Sequence, residues 1–437
     1  MLFIPREDKI FGIIDANNFY VSCEQAFNPK IKNTPAIVLS NNDGCVISRS
    51  PEAKKLGIKM GEPFFKIKDK VEKYKIHVFS SNFPLYADMS YRFYETLSVF
   101  FPEVEIYSVD ECFLDLTSLR KFDLQSYLEY VREEIYKWIK IPTCIGVGRT
   151  KTIAKLANKY AKSNKIYKGV YIALEQTQIE KLLKKNKIED VWGIGKKTAK
   201  FLKRNNIYTP YDLIQQNKYW IRKKMKINGL KTNYELQGIS CIDMDINPNR
   251  KKKNITISRS FSEPITEIEE IENILLNFCV KLSEKLNSYR QVASYIGLYL
   301  RSNPFNKREK YYSNYGIIKL ESPTNSFHIL KEKSFQSLKK IYKENIKYKK
   351  MGLFGINLQE ETSSKQLDFF NSLPSPKTRS YTNLIVNLMK FYNRSDKKKI
   401  LFAKNLIYKT QNKLENKIFL TKKYTMNIWE IPEVHIK

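Results

Sequence analysis

At 437 residues the chain is long enough for about three domains whose cores need no disulfide staples. With 42% hydrophobic and 28% charged residues it is neither fibrous nor wholly disordered, and no apolar run approaches the ~20 residues that span a bilayer. Lys+Arg 77 against Asp+Glu 45 leaves a net charge of +32, which points to a polyanionic partner.

Residues 9–14 (KIFGII) form an apolar run ending at Asp15, as a buried strand with a carboxylate at its tip would. A second such run covers 36–39. Turn chemistry dominates between them and on through 41–44, ahead of a helical stretch over 51–56 that Gly57 stops. Residues 29–75 thus read as a small mixed subdomain. Residues 104–108 and 112–116 read as two strands joined by a tight turn that carries Asp110 and Glu111. A helix over 127–138, a strand over 143–147 and a basic helix over 151–162 follow. From about 175 the chain changes to short lysine-rich helices, with Gly193-Ile194-Gly195 between two of them. Residues 247–253 (NPNRKKK) have the composition of a linker. A helix over 268–286 and a strand over 293–300 belong to a compact α+β unit. The polar stretch 360–376 is broken by the cluster QLDFF at 366–370.

The six cysteines include no C-x-x-C pair, and residues 1–9 hold no signal-peptide core, so a reducing cytosol and no zinc site are expected. The chemical candidates are Asp15, Asp110 and Glu111. Each alone is an ordinary turn or cap residue. Together, three carboxylates at strand ends supply hard oxygen ligands for magnesium. Nucleotidyl transfer with two metal ions ~3.5–4 Å apart needs two or three such side chains.

The segments DANNFYVSCE (15–24), LSNNDGCV (39–46) and YSVDE (107–111) are similar to those of the Y-family translesion DNA polymerases, most of all their UmuC branch. SN (81–82), LYADMS (85–90), KTIAKLAN (151–158), VWGIG (191–195) and SRSF (258–261) match in family order. KYT (423–425) and WE (429–430) resemble the tail of that branch, so the resemblance covers nearly the whole chain.

The resemblance implies an α+β fold arranged as a right hand. Its palm would be residues 1–28 and 78–174, its small fingers 29–77, and its helical thumb with a helix-hairpin-helix 175–246. A basic linker at 247–254, an α+β little finger at 255–358 and a C-terminal extension at 359–437 would follow. Catalysis would fall to Asp15, Asp110 and Glu111, which with the carbonyl of Ala16 would hold two Mg2+ ions. Tyr20 matches the steric gate beneath the incoming sugar, and Phe19 would support the pocket. Lys155 and, from the fingers, Lys54 match contacts to the triphosphate. Lys151 would be a companion, with Lys159 and Lys162 left on a solvated face, and Asp115 would be structural support. Where many members carry a tyrosine this chain has Pro51, which offers no hydroxyl.

Gly193, Gly195 and Lys196 would approach DNA phosphates, and Arg250, Lys251, Lys252 and Lys253 would follow the backbone without reading sequence. Gln366, Leu367, Phe369 and Phe370 match the peptide that grips a sliding clamp. The implied partners are primed DNA, deoxynucleoside triphosphates, the clamp, a UmuD′-like dimer and a RecA filament, with no membrane. The implied place is the bacterial cytoplasm, at the nucleoid. The residues alone also leave room for a catalytically silent subunit that occupies DNA ends and recruits partners, or for a nucleotide cyclase. They leave Phe19 and Tyr20 open to plain core packing, and the 366–370 cluster to folding back on the body.

Overall fold

The computed structural model describes residues 9–246, 251–306, 308–361, 417–422 and 424. They fall into two compact units: the residues up to 248 together with those from 418 onward, and the residues between.

The first unit begins β1 (Phe11–Ala16), α1 (Phe19–Phe27), β2 (Ala36–Leu39), β3 (Val46–Arg49), α2 (Pro51–Lys55), α3 (Lys68–Lys73) and β4 (His77–Ser80). It continues α4 (Phe83–Phe100), β5 (Val104–Ile106), β6 (Glu111–Asp115), α5 (Leu124–Ile139), β7 (Thr143–Gly148), α6 (Lys151–Ser163) and β8 (Val170–Ala173). Four helices complete it, three short ones, α7 (Gln176–Lys185), α8 (Lys196–Lys203) and α9 (Pro210–Ile214), and, against the expectation of short helices only, the long α10 (Lys218–Leu236), which bends at Lys226.

Its main sheet has the order β5-β6-β1-β7-β8, with β1 antiparallel to both neighbours and β8 parallel to β7. Side chains alternate across a strand. Ile14 and Ala16 therefore enter the core with α4 and α5, whereas Phe11 and Ile13 meet Phe113 and Ala154 of α6. Asp15 shares this second face. Helix α6 approaches closely because β7 carries glycine: a Cβ on Gly146 would stand 2.1 Å from the backbone nitrogen of Asn158. Asn158 Nδ2 donates to the carbonyl of Cys144 at 2.7 Å, which fixes the helix along the strand.

Two helices were not legible in the local sequence. The stretch after β1, expected as turn, holds α1: Asn18 takes a left-handed φ of 50°, and the next residue starts a helix that buries Phe19, Val21 and Cys23. The turn signal in Asn17 and Asn18 is real but occupies two residues only. Helix α4 is set by Asn82, whose side chain caps it by accepting from Leu85 N, and by Pro84 in its first turn.

A smaller sheet, β3-β2-β4, encloses its own core of Ile37, Leu39, Val46, Ala53, Ile58 and Ile67. Residues 418–422 and 424 belong to this unit. Ser80 N donates to Phe419 O at 3.0 Å, Phe419 N donates to Ser80 Oγ at 2.9 Å, and Ile418 N donates to Asp43 Oδ2 at 2.8 Å. The Phe419 ring meets Phe64 edge-on at 5.9 Å, and Tyr424 stacks on Phe27 at 4.9 Å.

The second unit runs β9 (Asn254–Ile265), α11 (Ile268–Ser288), β10 (Gln291–Ser302), β11 (Ser313–Thr324), α12 (Phe327–Ile341) and β12 (Tyr348–Glu360). Its antiparallel sheet, β11-β10-β12-β9, buries Ile257, Leu298 and Leu353 with Ile274 and Leu282 of α11 and Leu338 of α12. Among the described residues no helix is long and apolar enough to cross a membrane.

Candidate active site

The three candidate carboxylates converge at one end of the main sheet. Asp15 lies inside β1, not beyond it, and pairs across strands with Glu111, the first residue of β6. Asp110 stays in the preceding turn, where its carbonyl accepts from Ala16 N at 2.8 Å. That bond places Ala16 beside Asp110. The Asp110 carboxylate accepts from Ser108 Oγ at 2.6 Å. Burial pushes Asp15 up to about 6, partly opposed by Lys162, and the charges of Glu111 and Asp110 raise it further.

Lysines of α6 neutralise this cluster. Lys155 Nζ donates to Glu111 Oε1 at 2.9 Å and lies 4.3 Å from the ring centre of Tyr107, 5.7 Å from Trp192 and 5.8 Å from Phe113. The Trp192 indole donates to the Tyr107 hydroxyl at 3.0 Å, so the aromatic cage is itself tied together. Sequence reasoning singled out none of these three rings. The expectation of a solvated face does not hold for Lys162, whose seven-residue spacing from Lys155 along α6 places it over the sheet. Lys162 Nζ reaches Asp15 Oδ1 at 2.5 Å, two helical turns beyond Lys155. Lys159 pairs with Asp190. Lys151, expected beside the triphosphate, is 1% exposed and bonds Glu105 and the carbonyl of Asp243. Its side chain is committed to the interior. Asp115 accepts from Lys9 and from Thr117 N at the far end of β6.

Phe19 is buried in the core with α4, whereas Tyr20 is half-buried and stacks on Tyr86 at 4.5 Å and 20°. Phe83 meets Tyr20 edge-on at 6.1 Å. Lys54 of α2 bonds the side chain of Asn18, at the start of α1. Burial holds Lys54 below its ordinary value, as do Arg49 and Lys162, while Asp15 opposes them. Lys54 therefore belongs to the same electrostatic cluster. Pro51 opens α2 behind the Ser50 cap.

In the turn before α8, Gly193 has φ +87°, which a side chain would strain, and Gly195 caps the helix. Both are exposed, as is Lys196. Of the linker residues, Arg250 lies outside the described residues. Lys251 pairs with Glu360 at 2.7 Å, Lys252 lies 5.8 Å from the ring centre of Tyr289, and the Lys253 carbonyl accepts from Leu358 N. These three lysines are laid against the second unit just before β9. Gln366, Leu367, Phe369 and Phe370 lie outside the described residues.

Among the described residues no three acidic, histidine or cysteine side chains close into a ready-made metal cage. The donor chemistry nevertheless fits a hard divalent cation: three neighbouring carboxylates, two of which raise the proton affinity of Asp15, beside the Ala16 carbonyl, with two lysines balancing the charge.

The profile of the impB/mucB/samB family matches residues 14–159, and that of the family's C-terminal domain matches 252–369. The chain is 38% identical to Protein UmuC of Salmonella typhimurium over 346 residues, covering 79% of this chain and 82% of that protein. It is 35% identical to Protein ImpB of Salmonella typhimurium, over 90% of this chain and 92% of that one. It is 26% identical to DNA polymerase IV 1 of Bacillus subtilis, over 95% and 98%. Among solved structures, a Y-family DNA polymerase chimera matches with a TM-score of 0.63 at 20% identity, covering 80% of this chain and 99% of that one. That likeness establishes the α+β polymerase fold expected from the sequence. With both family profiles matched and more than a third identity over four-fifths of a relative, the chain belongs to the impB/mucB/samB family.

Proposed function

We infer that this chain is a template-directed DNA polymerase of the translesion type, which adds deoxynucleotides to a primer 3′ end opposite damaged template in the response to DNA damage. The observation that carries the reading is the meeting of Asp15 and Glu111 across β1 and β6 with Asp110 beside them, in a chain of this family. The main sheet and its helices act as the palm, the small sheet as the fingers and α7–α10 as the thumb. Residues 255–358 act as the little finger. Asp15, Asp110, Glu111 and the Ala16 carbonyl would hold two magnesium ions. Such ions, when bound, stabilise charge on the attacking and leaving oxygens.

The chain's own groups do the rest. Lys155 exchanges Glu111 for the triphosphate, a move its flexible stem allows, and Lys54 adds positive charge from the fingers side. Tyr20 lies beneath the incoming sugar and collides with a ribose 2′-hydroxyl, with Phe19 anchoring the start of its helix. Gly193, Gly195 and Lys196 bring backbone amides and an ammonium to DNA phosphates, and Arg250 with Lys251, Lys252 and Lys253 contributes charge along the duplex. Gln366, Leu367, Phe369 and Phe370 tether the enzyme to a sliding clamp, and resemblance to the UmuC branch supports a UmuD′-like dimer and a RecA filament as activators.

Primer extension on a template opposite dNTPs and Mg2+ tests the reading. Extension by the wild-type chain that Asp110→Ala abolishes supports it. A chain that binds primer ends but extends none, even with such activators, returns it to a silent recruiting subunit.

A further inference from the structure

A continuous set of contacts links residue 421 to the ring of Tyr20. Thr421 Oγ1 donates to Glu24 Oε1 at 3.2 Å, and the Tyr86 hydroxyl donates to the same oxygen at 2.7 Å. The Tyr86 ring in turn is the platform on which Tyr20 stacks. Thr421 is itself held: Asn82 Nδ2 donates to its Oγ1 at 3.0 Å and to the carbonyl of Lys422 at 3.0 Å. Glu24 is 2% exposed and Tyr86 and Asn82 are 1% exposed, so water cannot substitute for a lost partner without opening the core. Burial pushes Glu24 up to about 7, and the hydroxyls of Tyr86 and Thr421 are what oppose that rise. Tyr20 is half-buried, and its remaining ring contacts are edge-on or tilted. The plane of its ring is thus set chiefly by Tyr86, whose own ring is packed in the core and against the edge of Phe83, with its hydroxyl end anchored on Glu24.

We propose that Thr421 is a positioning residue for sugar discrimination: through Glu24 and Tyr86 it fixes the platform that holds the Tyr20 ring beneath the incoming nucleotide. This rests on the reading of Tyr20 as the group that meets the sugar. Exclusion by collision depends on placement to within about 0.5 Å, so a platform free to tilt admits a ribose that a fixed one rejects.

The experiment compares kcat/KM for dATP and ATP insertion opposite thymine by the full chain with Mg2+. Thr421→Val keeps the shape and removes the hydroxyl. Its selectivity for dATP should fall about tenfold, the scale of one hydrogen bond to a buried carboxyl group, mainly through a gain in ATP insertion. Thr421→Ser should restore it, and Tyr86→Phe should reproduce the loss from the other end of the contact. In a Tyr20→Ala background Thr421→Val should change the ratio no further. A purely structural role would lower both nucleotides alike, and an unchanged ratio in Thr421→Val and Tyr86→Phe overturns the proposal. Should Thr421→Val fail to fold, Tyr86→Phe alone decides. Tyr20→Ala separates the two failures. If it leaves the ratio unchanged, the reading of Tyr20 falls and the proposal with it. If it raises ATP use while the other variants do not, only the proposal falls.

Discussion

Asp15 and Glu111 face each other across two antiparallel strands, and each is held by a lysine of one helix: Lys162 on Asp15 and Lys155 on Glu111. The two lysines are seven residues apart, so they lie on the same face of α6. Negative charge from the sheet is matched to positive charge from a single rigid element. A cation bound at the carboxylates, as the proposed function requires, would compete with two ammonium groups, and a triphosphate bound with it would offer those ammonium groups a new partner.

Removing one carboxylate should stop chemistry without releasing DNA. Glu111→Gln is expected to lower the primer-extension rate by roughly 10³-fold or more, several kcal/mol of transition-state stabilisation. Fluorescence anisotropy should find affinity for a primed duplex within a few-fold of wild type. Near wild-type extension would remove Glu111 from the metal-binding set.

Lys151 should prove structural. Its buried ammonium answers Glu105, whose Oε2 also accepts from Asp245 N at 2.7 Å. Lys151→Met leaves that carboxylate buried without its cation, at a cost of about 3–5 kcal/mol. Urea unfolding should show the loss, and Lys151→Met with Glu105→Leu should recover part of it. An unchanged midpoint would contradict the buried pair.

Glu24 gives the first unit a pH dependence of defined sign. Its carboxyl is raised from an ordinary 4.5 to about 7, so the folded state binds the proton more tightly than the unfolded chain does. Stability is full below the ordinary value and declines as pH rises through about 7. Glu24→Gln cannot ionise. Its stability relative to wild type should increase by about 2–3 kcal/mol between pH 5 and pH 8. Thermal melts of both proteins across that range measure this, and a difference independent of pH would show that Glu24 stays ionised throughout.

Phe369→Ala with Phe370→Ala should leave basal extension on a short primer intact and remove stimulation by a sliding clamp. Truncating anchor aromatics commonly costs ~2 kcal/mol or more each, enough to abolish a micromolar tether. Loss of basal extension as well would assign these rings to the folded body.

What the sequence disclosed followed the range of the interaction. Asp15, Asp110 and Glu111 were legible because apolar runs and a turn place carboxylates at strand ends. The strand expected over 143–147 and the helix expected over 151–162 each fall one residue short of the observed elements, and were legible because their periodicities are local. Helix α1 was hidden by the asparagines that precede it. Lys162 and Lys151 carry the same charge on the same helix, yet one faces Asp15 and the other is buried with Glu105. Only the placement of α6 over β7 separates them. The aromatic cage around Lys155 draws on Tyr107, Phe113 and Trp192, which no single window of sequence brings together.

The bond between Thr421 and Glu24 joins residues 397 apart in sequence, and Phe419 fills a core whose other members precede residue 80. During synthesis the first unit must therefore wait, with Glu24 lacking one of its hydroxyl partners and the small sheet short of a ring, until the whole second unit has left the ribosome. A message cut after the second unit but before codon 418 yields a chain that keeps Asp15, Asp110 and Glu111 but has an unfinished fold. The closing segment thus acts as a completeness check, under which the first unit begun is the last one finished.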